Sequence, residues 1–166
     1  MKRTKLFILG LAAGLAIFTL SCGEEEDNFD EIAQYAEDLE AIDKYIIENN
    51  ITDTLHHFLG IRYKIHEQGT GLQARVGDQI LVDYKGYFLD GEVFDEGLFG
   101  DNPPVVLNSG SMISGWYFMC QEMQEGDSMT IWLPSVYAYG QRGSASGTVP
   151  PNTPLIFDMK MLRVGE

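Results

Sequence analysis

The chain contains few cysteines and few basic residues for its 166 positions. Two cysteines are too few for the several disulfides that stabilise small secreted domains whose hydrophobic core is small. Eleven lysines and arginines stand against 25 aspartates and glutamates, which gives a formal net charge of −14. Because such an acidic surface repels phosphate, the composition argues against sequence-independent binding of nucleic acid. The length and an apolar fraction of 45% suit one soluble globular domain with an ordinary core.

The sequence has one long apolar run, which lies near its N-terminus. Leu6–Leu20 follows a basic start and is short for a membrane span, which needs about 20 residues. The run is followed by Ser21 and Cys22. This order is similar to a bacterial lipoprotein signal, in which the chain is cut before a cysteine whose thiol is then lipidated. Thr19 departs from the leucine that such signals usually carry, and the alternative is an ordinary secretory signal with an incidental cysteine.

The lipoprotein interpretation predicts where the mature protein resides. Residues 1–21 would be removed, and lipid on Cys22 would anchor the chain to a membrane of the cell envelope. Gly23 and the acids after it resemble sorting signals for the outer membrane, with the domain periplasmic or surface-exposed. Residues 22–27 are predicted to be an acidic tether, because like charges cannot pack together. With Cys22 consumed, Cys120 has no partner for an intramolecular disulfide.

Residues 28–60 are predicted to form an N-terminal helical segment and a connector. Asn28 and Glu31 have the spacing of a capping box, and Asn49 and Asn50 are plausible stop residues. Such a helix needs an apolar partner, either its own domain, which we favour, or the same helix of a second copy. The protein is therefore expected to be a monomer, or a homodimer through this helix. The apolar stripe recurs at three- and four-residue intervals and consists of Ile32, Tyr35, Leu39, Ile42 and Ile46.

Residues 61–166 have the pattern of a second, larger unit built on strands. Asp90-Gly91 lies between two apolar flanks, which predicts a hairpin because type I′ turns need positive φ. Val105–Leu107 is a further short strand, and Met112–Met123 is the predicted helix. Five or so antiparallel strands with one short helix indicate an α+β fold, a curved sheet that wraps the helix. Alternation of apolar and polar residues marks the remaining strands, at 61–66, 80–85, 129–133 and 155–161.

The usual catalytic and cofactor motifs are missing. His56, His57 and His66 invite a metal hypothesis, but the first two are adjacent and point in different directions, so we predict a solvated connector and no metal. Gly140–Gly147 is glycine-rich, yet it lacks the lysine and helix of a phosphate-binding loop. The serines lack the Gly-x-Ser-x-Gly turn of a hydrolase. We therefore expect no cofactor.

What remains is a set of aromatic residues with one carboxylate, whose simplest explanation is core packing. Their surrounding motifs, however, occur in the order and near the spacing of one family across residues 76–165. The ordered set resembles the FKBP-type peptidyl-prolyl isomerases. The motifs are Asp83-Tyr84-Lys85-Gly86, Asp90–Asp95, Gly110–Trp116, Tyr137-Ala138-Tyr139-Gly140, Val149-Pro150-Pro151-Asn152 and Leu155–Asp158.

The resemblance implies a fold and a site. The family fold is a five-stranded antiparallel half-barrel around one helix, and the family site is a proline pocket. Met112 and Ile113 would stand at the helix start, where the Ile113 N–H can bond a substrate carbonyl. Asp95 and the Tyr139 hydroxyl would form the polar edge, and Val149 an apolar wall. The residues implied to line the pocket are Tyr84, Phe94, Trp116 (its floor), Tyr139 and Phe157.

The chain departs from the family pattern at several positions. Val105 stands where the family usually has phenylalanine, so it is either a thinner pocket wall or a core residue. No lysine or arginine lies between Glu96 and Pro104, where the family often places a basic partner for its aspartate. The loop at 141–148 is one residue longer, and Thr148 replaces an apolar residue.

The function implied by the resemblance is peptidyl-prolyl cis–trans isomerisation during the folding of envelope or secreted proteins. The expected partners are proline-containing polypeptides, with macrolides as inhibitors of the same pocket. One alternative is a chaperone or peptide-binding module that uses the pocket without catalysis. Another is a surface lipoprotein that keeps the fold alone.

Overall fold

The structure, a computed structural model, describes residues 30–51 and 54–165. The predicted signal peptide, Cys22, the acidic tether and Asn28 lie outside the described residues. Helix α1 spans Glu31–Glu48, and its N-cap is Asp30, so the capping residue predicted at Asn28 is corrected. The Asp30 carboxylate accepts the backbone N–H groups of Ile32 and Ala33, both at 3.0 Å. A carboxylate at this end also favours the helix through the helix dipole.

Helix α1 packs on its own domain, the first of the two alternatives. Ile42 and Ile46 are buried against Trp132 and Ile156 of the sheet. The stripe is only partly covered, because Ile32 is 82% exposed. The helix ends before Asn49, as predicted, and the Asn49 side chain donates to the Tyr45 carbonyl at 2.9 Å.

A seven-stranded antiparallel sheet forms the body of the molecule. Its order is β1-β2-β6-β7-β3-β4, and the short β5 pairs with β3. The predicted hairpin is confirmed, since β3 and β4 pair across Asp90-Gly91. The strands are β1 Leu55–Phe58, β2 Ile61–Glu67, β3 Gln79–Phe88, β4 Val93–Phe99, β5 Val105–Val106, β6 Ser128–Leu133 and β7 Leu155–Gly165.

Strand β1 corrects the prediction of a solvated connector around His56 and His57. It pairs with β2 through a tight turn at Leu59 and Gly60, both of which have positive φ. Phe58 packs on the main core, so one end of the strand is anchored by apolar contact. The sequence pattern does not reveal this strand, because histidines occupy its two middle positions and interrupt the alternation of apolar and polar residues.

Helix α2, Ser114–Glu122, is shorter than predicted and lies between β5 and β6 in the chain. The two helices pack on opposite faces of the sheet, because neighbouring strand residues point to opposite sides. Ile131 and Leu133 join the α2 core, whereas Trp132 between them packs with α1. The α+β class is confirmed. In the described part of the chain, neither helix is long and apolar enough to cross a membrane.

Candidate functional site

A cavity of about 270 Å³ opens beside the start of α2. It combines residues from α2, from strands β3, β4 and β7, and from the loop that follows β6. Most of its walls are aromatic, and Asp95 is its one acidic residue. Its lining consists of Tyr84, Asp95, Phe99, Ser111, Met112, Ile113, Trp116, Tyr139 and Phe157.

Trp116 forms the floor of this cavity. Its side chain is 4% exposed, and three rings stand edge-on to it. The ring centroids of Tyr84, Phe99 and Phe157 lie 5.0, 5.3 and 5.2 Å from that of Trp116. Edge-to-face packing of this kind is favourable and geometrically specific, so the floor and three walls hold one another in place.

Two glycines allow close packing next to the cavity. A Cβ on Gly86 of β3 would lie 2.6 Å from the Phe94 ring and 2.9 Å from the Phe157 ring, which lines the cavity. A Cβ on Gly115 of α2 would lie 2.7 Å from Leu133 and 3.0 Å from the Tyr137 carbonyl oxygen. Glycine at position 86 therefore lets β3 approach a cavity wall, and glycine at position 115 lets α2 approach the end of β6 and the loop after it.

The polar edge is built from two phenols and one carboxylate. The Tyr84 hydroxyl donates to Asp95 at 2.7 Å, so a hydroxyl takes the place that the resemblance gave to a basic partner. Burial raises the pKa of Tyr84, and the hydrogen bond to Asp95 raises it further. Burial and the charge of Asp95 also raise the pKa of Tyr139. Both phenols therefore stay protonated at neutral pH and can act as hydrogen-bond donors.

The start of α2 adds backbone donors to the cavity. Ile113 is the N-cap of this helix, and no side chain caps it. The N–H groups of a first helical turn have no partner within the helix. Ile113 and Met112 both line the cavity, so these donors lie next to the space that a substrate carbonyl would enter.

The cavity brings together seven of the ten residues predicted for substrate contact, namely Tyr84, Asp95, Met112, Ile113, Trp116, Tyr139 and Phe157. The other three do not line it. Phe94 packs behind Phe157, with ring centroids 5.5 Å apart. Val149 is 2% exposed within the core. Val105 pairs with Ile80 in the sheet and lies near Gly100.

Phe99 and Ser111 line the cavity but were not predicted. Phe99 is the last residue of β4, and its ring faces Trp116. The signal in the sequence is an aromatic residue six positions before Val105, whereas the family motif has its aromatic residue at the position of Val105.

Two of the three histidines make contacts that hold the fold together. His56 stacks on Tyr63 with ring centroids 5.0 Å apart, and His66 hydrogen-bonds Thr130 at 2.7 Å. Within residues 30–51 and 54–165, no three histidine, cysteine or acidic side chains cluster in a way that could hold a metal.

A larger and more open hollow, of about 640 Å³, shares Tyr84 with the cavity, and half of its lining residues are charged. Lys85 and Glu96 form an ion pair of 2.8 Å within it. Its aromatic residues are Tyr84 and Tyr87 alone, so it offers less apolar burial to a ligand than the smaller cavity does.

Comparison with known proteins identifies relatives of this chain. Residues 71–162 match the family model described as FKBP-type peptidyl-prolyl cis-trans isomerase. A Neisseria meningitidis serogroup B protein named probable FKBP-type peptidyl-prolyl cis-trans isomerase FkpA is 37% identical over 106 residues. That alignment covers 64% of this chain and 38% of the relative, so this chain spans well under half of that relative's length.

Two further matches cover most of the proteins compared. An FK506-binding protein from Neisseria meningitidis serogroup A is 37% identical over 101 residues, which are 60% of this chain and 92% of that protein. A crystal structure of a peptidyl-prolyl cis-trans isomerase from Pseudomonas syringae pv. tomato superposes with a TM-score of 0.63 at 27% identity. The superposition covers 79% of this chain and 96% of that structure.

Proposed function

Because the chain belongs to the FKBP-type peptidyl-prolyl cis–trans isomerase family, we propose that its domain accelerates isomerisation of X–Pro bonds in polypeptides. The observation that carries this proposal is the aromatic cavity over Trp116, with Asp95, Tyr139 and the start of α2 at its edge. The family model matches residues 71–162, and these residues contain that whole lining.

The proposed chemistry needs no nucleophile and no titrating group. Rotation about an X–Pro bond faces a barrier of about 18–20 kcal/mol, because resonance gives the C–N bond double-bond character. Planar amides are more polar than twisted ones, so an apolar cavity that excludes water disfavours the planar ground state. The proline ring would lie on Trp116 between the walls formed by Tyr84, Phe99 and Phe157.

Donors at the cavity edge would then favour the twisted geometry. The Ile113 N–H would bond a substrate carbonyl, and the protonated Tyr139 hydroxyl would offer a second donor. Asp95 would hold Tyr84 in position through the 2.7 Å hydrogen bond and supply the polar edge. Catalysis of this kind is differential binding, since these contacts improve as the amide twists.

The two tryptophans provide a matched test. Trp116 and Trp132 are both buried, and the indole N–H of each lacks a hydrogen-bond partner among the described residues. They pack in different clusters, Trp116 with α2 and Trp132 with α1. Trp116→Phe should lower kcat/KM by about tenfold, since about 1.5 kcal/mol of apolar contact with the proline ring is lost. Trp132→Phe should lower stability while leaving kcat/KM near that of the unchanged protein.

The measurement is a proline isomerisation assay on a short peptide, with circular dichroism to show that each variant is folded. No isomerase activity in the unchanged protein would refute the proposal. Equal kcat/KM losses in the two variants would show that the reaction does not occur over Trp116.

Binding without catalysis is the second candidate function, and the bonding of Asp95 by a phenol rather than a base favours it. In Trp132→Phe the one remaining tryptophan is at the floor of the cavity, so its fluorescence reports occupancy. Saturable binding of a proline peptide without any rate acceleration would support this second candidate. The same titration with a macrolide tests the predicted inhibitor class.

We further propose that the protein is anchored to the cell envelope by lipid on Cys22, at the outer membrane. The support is the order of the basic start, the apolar run, Ser21 and Cys22 in the sequence. Cys22→Ala should leave isomerase activity intact and release the protein from membranes, since multiple acyl chains hold a protein firmly. Labelling with a fatty acid measures lipidation, membrane fractionation measures release, and the isomerisation assay measures activity. Equal membrane retention of the variant would refute lipid anchoring.

A further inference from the structure

The loop after β6 carries Tyr139 to the cavity. It begins with Pro134, continues as a 3-10 helix over Ser135–Tyr137, and reaches Tyr139 two residues later. The backbone N–H of Ala138 donates to the Ser135 carbonyl at 2.9 Å, so the position of Ser135 is transmitted to the residue before Tyr139. Whatever fixes Ser135 therefore influences where the Tyr139 ring lies.

Asp38 of helix α1 fixes Ser135. Its carboxylate accepts the Ser135 backbone N–H at 2.7 Å and the Ser135 hydroxyl at 2.5 Å. Gln34, one turn earlier on the helix, donates to the other carboxylate oxygen at 3.0 Å. Asp38 and Ser135 are each 2% exposed, so water cannot replace these bonds.

Aromatic contacts hold the same loop from both sides. Tyr35 of α1 packs edge-on against Tyr137, with ring centroids 6.3 Å apart. Phe118 of α2 also packs edge-on against Tyr137, with ring centroids 6.2 Å apart. The loop is thus clamped between α1 and the helix that carries Trp116, and Asp38 supplies its charged contact.

Burying a carboxylate in order to hold a helix in place carries an unfavourable free energy of desolvation. Apolar residues of similar volume often stabilise a protein as well or better. What a carboxylate adds is direction, because one oxygen here fixes both a backbone and a side-chain donor of the same residue. That geometry sets the conformation of the loop as well as its distance from α1.

We propose that Asp38 is a positioning residue for the isomerase site, acting through Ser135 on the placement of Tyr139. This inference rests on the proposed function and extends it beyond the matched region. Helix α1 lies outside residues 71–162, yet it would set the activity of the site that those residues contain.

The test compares two aspartates of the same helix in the full chain. Asp38→Asn keeps the size of the side chain but weakens its acceptance of the two Ser135 donors. Asp43→Asn breaks a bidentate ion pair with Arg62, with both contacts at 2.9 Å, which ties α1 to β2 and not to the loop. We expect kcat/KM to fall about tenfold in Asp38→Asn and to change less than twofold in Asp43→Asn, because displaced catalytic groups cost rate.

A double-mutant cycle with Tyr139→Phe separates positioning from loss of stability. If Asp38 acts through the Tyr139 hydroxyl, Asp38→Asn should lower kcat/KM much less once that hydroxyl is gone. A full tenfold loss in the Tyr139→Phe background would overturn the proposal. Equal kinetic effects of Asp38→Asn and Asp43→Asn would also overturn it.

Hydrogen exchange provides a readout that does not depend on activity. The amides of Ala138 and Tyr137 should exchange at least tenfold faster in Asp38→Asn than in Asp43→Asn. If the unchanged protein has no isomerase activity, the proposed function fails, and these amides alone decide whether Asp38 positions the loop. Ser135→Ala, which keeps the backbone donor, is the milder variant should Asp38→Asn not fold, and it should reproduce the effect in part.

Discussion

Phe99 occupies the wall that the family resemblance assigned to Val105. Its ring faces Trp116 from the end of β4, whereas Val105 pairs with Ile80 in the sheet. The backbone between them turns closely against β3, since a Cβ on Gly100 would lie 2.1 Å from the Ile80 carbonyl oxygen. An aromatic wall is therefore retained, but it comes from a different position in the chain.

Phe99→Leu should weaken binding of a proline peptide about fivefold, which corresponds to about 1 kcal/mol of apolar contact. Phe58→Leu is the matched control, because Phe58 of β1 packs on the core and does not line the cavity. Titration followed by tryptophan fluorescence measures peptide binding, and thermal melting measures stability. Equal binding losses in the two variants would show that Phe99 does not contact the peptide.

Val105→Phe tests the same point from the other position. We expect no gain in kcat/KM and a stability loss of about 1–3 kcal/mol, since the larger ring must fit where the chain turns beside Gly100. The assay is isomerisation together with urea unfolding. A clear gain in kcat/KM with unchanged stability would place Val105 at the pocket and contradict this assignment.

At the scale of elements, the regular parts of the fold could be predicted and the irregular parts could not. Alternation located β2, β3, β6 and β7. Strand β6 is nonetheless buried from Met129 to Leu133, because Trp132 on its second face packs with α1. Strand β1 was missed since its two middle residues are histidines, which carry no apolar signal. The contact of Asp38 was missed because an acidic residue on an apolar stripe reads as a surface position until its partner, 97 residues away in sequence, is known.

Strand β3 requires glycine at position 86. In Gly86→Ala the new methyl group would meet the Phe94 and Phe157 rings at 2.6 and 2.9 Å. Because Phe157 lines the cavity, we expect a stability loss of about 1–3 kcal/mol together with weaker peptide binding. Gly110→Ala is the control, since its nearest contact would be 3.4 Å. Urea unfolding and peptide titration measure the effects, and unchanged binding in Gly86→Ala would show that the rings can move without harm to the site.

At the scale of the whole molecule, the two faces of the sheet pack against different helices. Helix α2 and the cavity occupy one face, and helix α1 covers part of the other. Both helices contact the loop after β6, α1 through Tyr35 and α2 through Phe118, and each ring packs on Tyr137. The residues that line the cavity can therefore be stabilised by contacts with α1, which lies outside the matched residues 71–162.

The stability of the whole fold should fall in alkali through Cys120, which lies in the core with 0% exposure. Burial raises the pKa of its thiol from 9.0 to about 12, so the unfolded chain releases this proton at lower pH than the folded protein does. The contribution is present below pH 9 and is lost progressively as pH rises toward 12. The expected loss in unfolding free energy between pH 9 and 10 is about 1 kcal/mol.

Cys120→Ala should remove the thiol's share of this slope and leave a nearly constant difference in stability from the small cavity. The comparison of the two proteins isolates the thiol, because the tyrosines with raised pKa values contribute equally to the pH slope of both; they are Tyr63, Tyr84, Tyr87, Tyr137 and Tyr139. Urea unfolding of both proteins at pH 7.5, 9 and 10 measures the difference. An equal pH slope in the variant would mean that Cys120 is not the group whose ionisation opposes folding, and that the core admits water at this position.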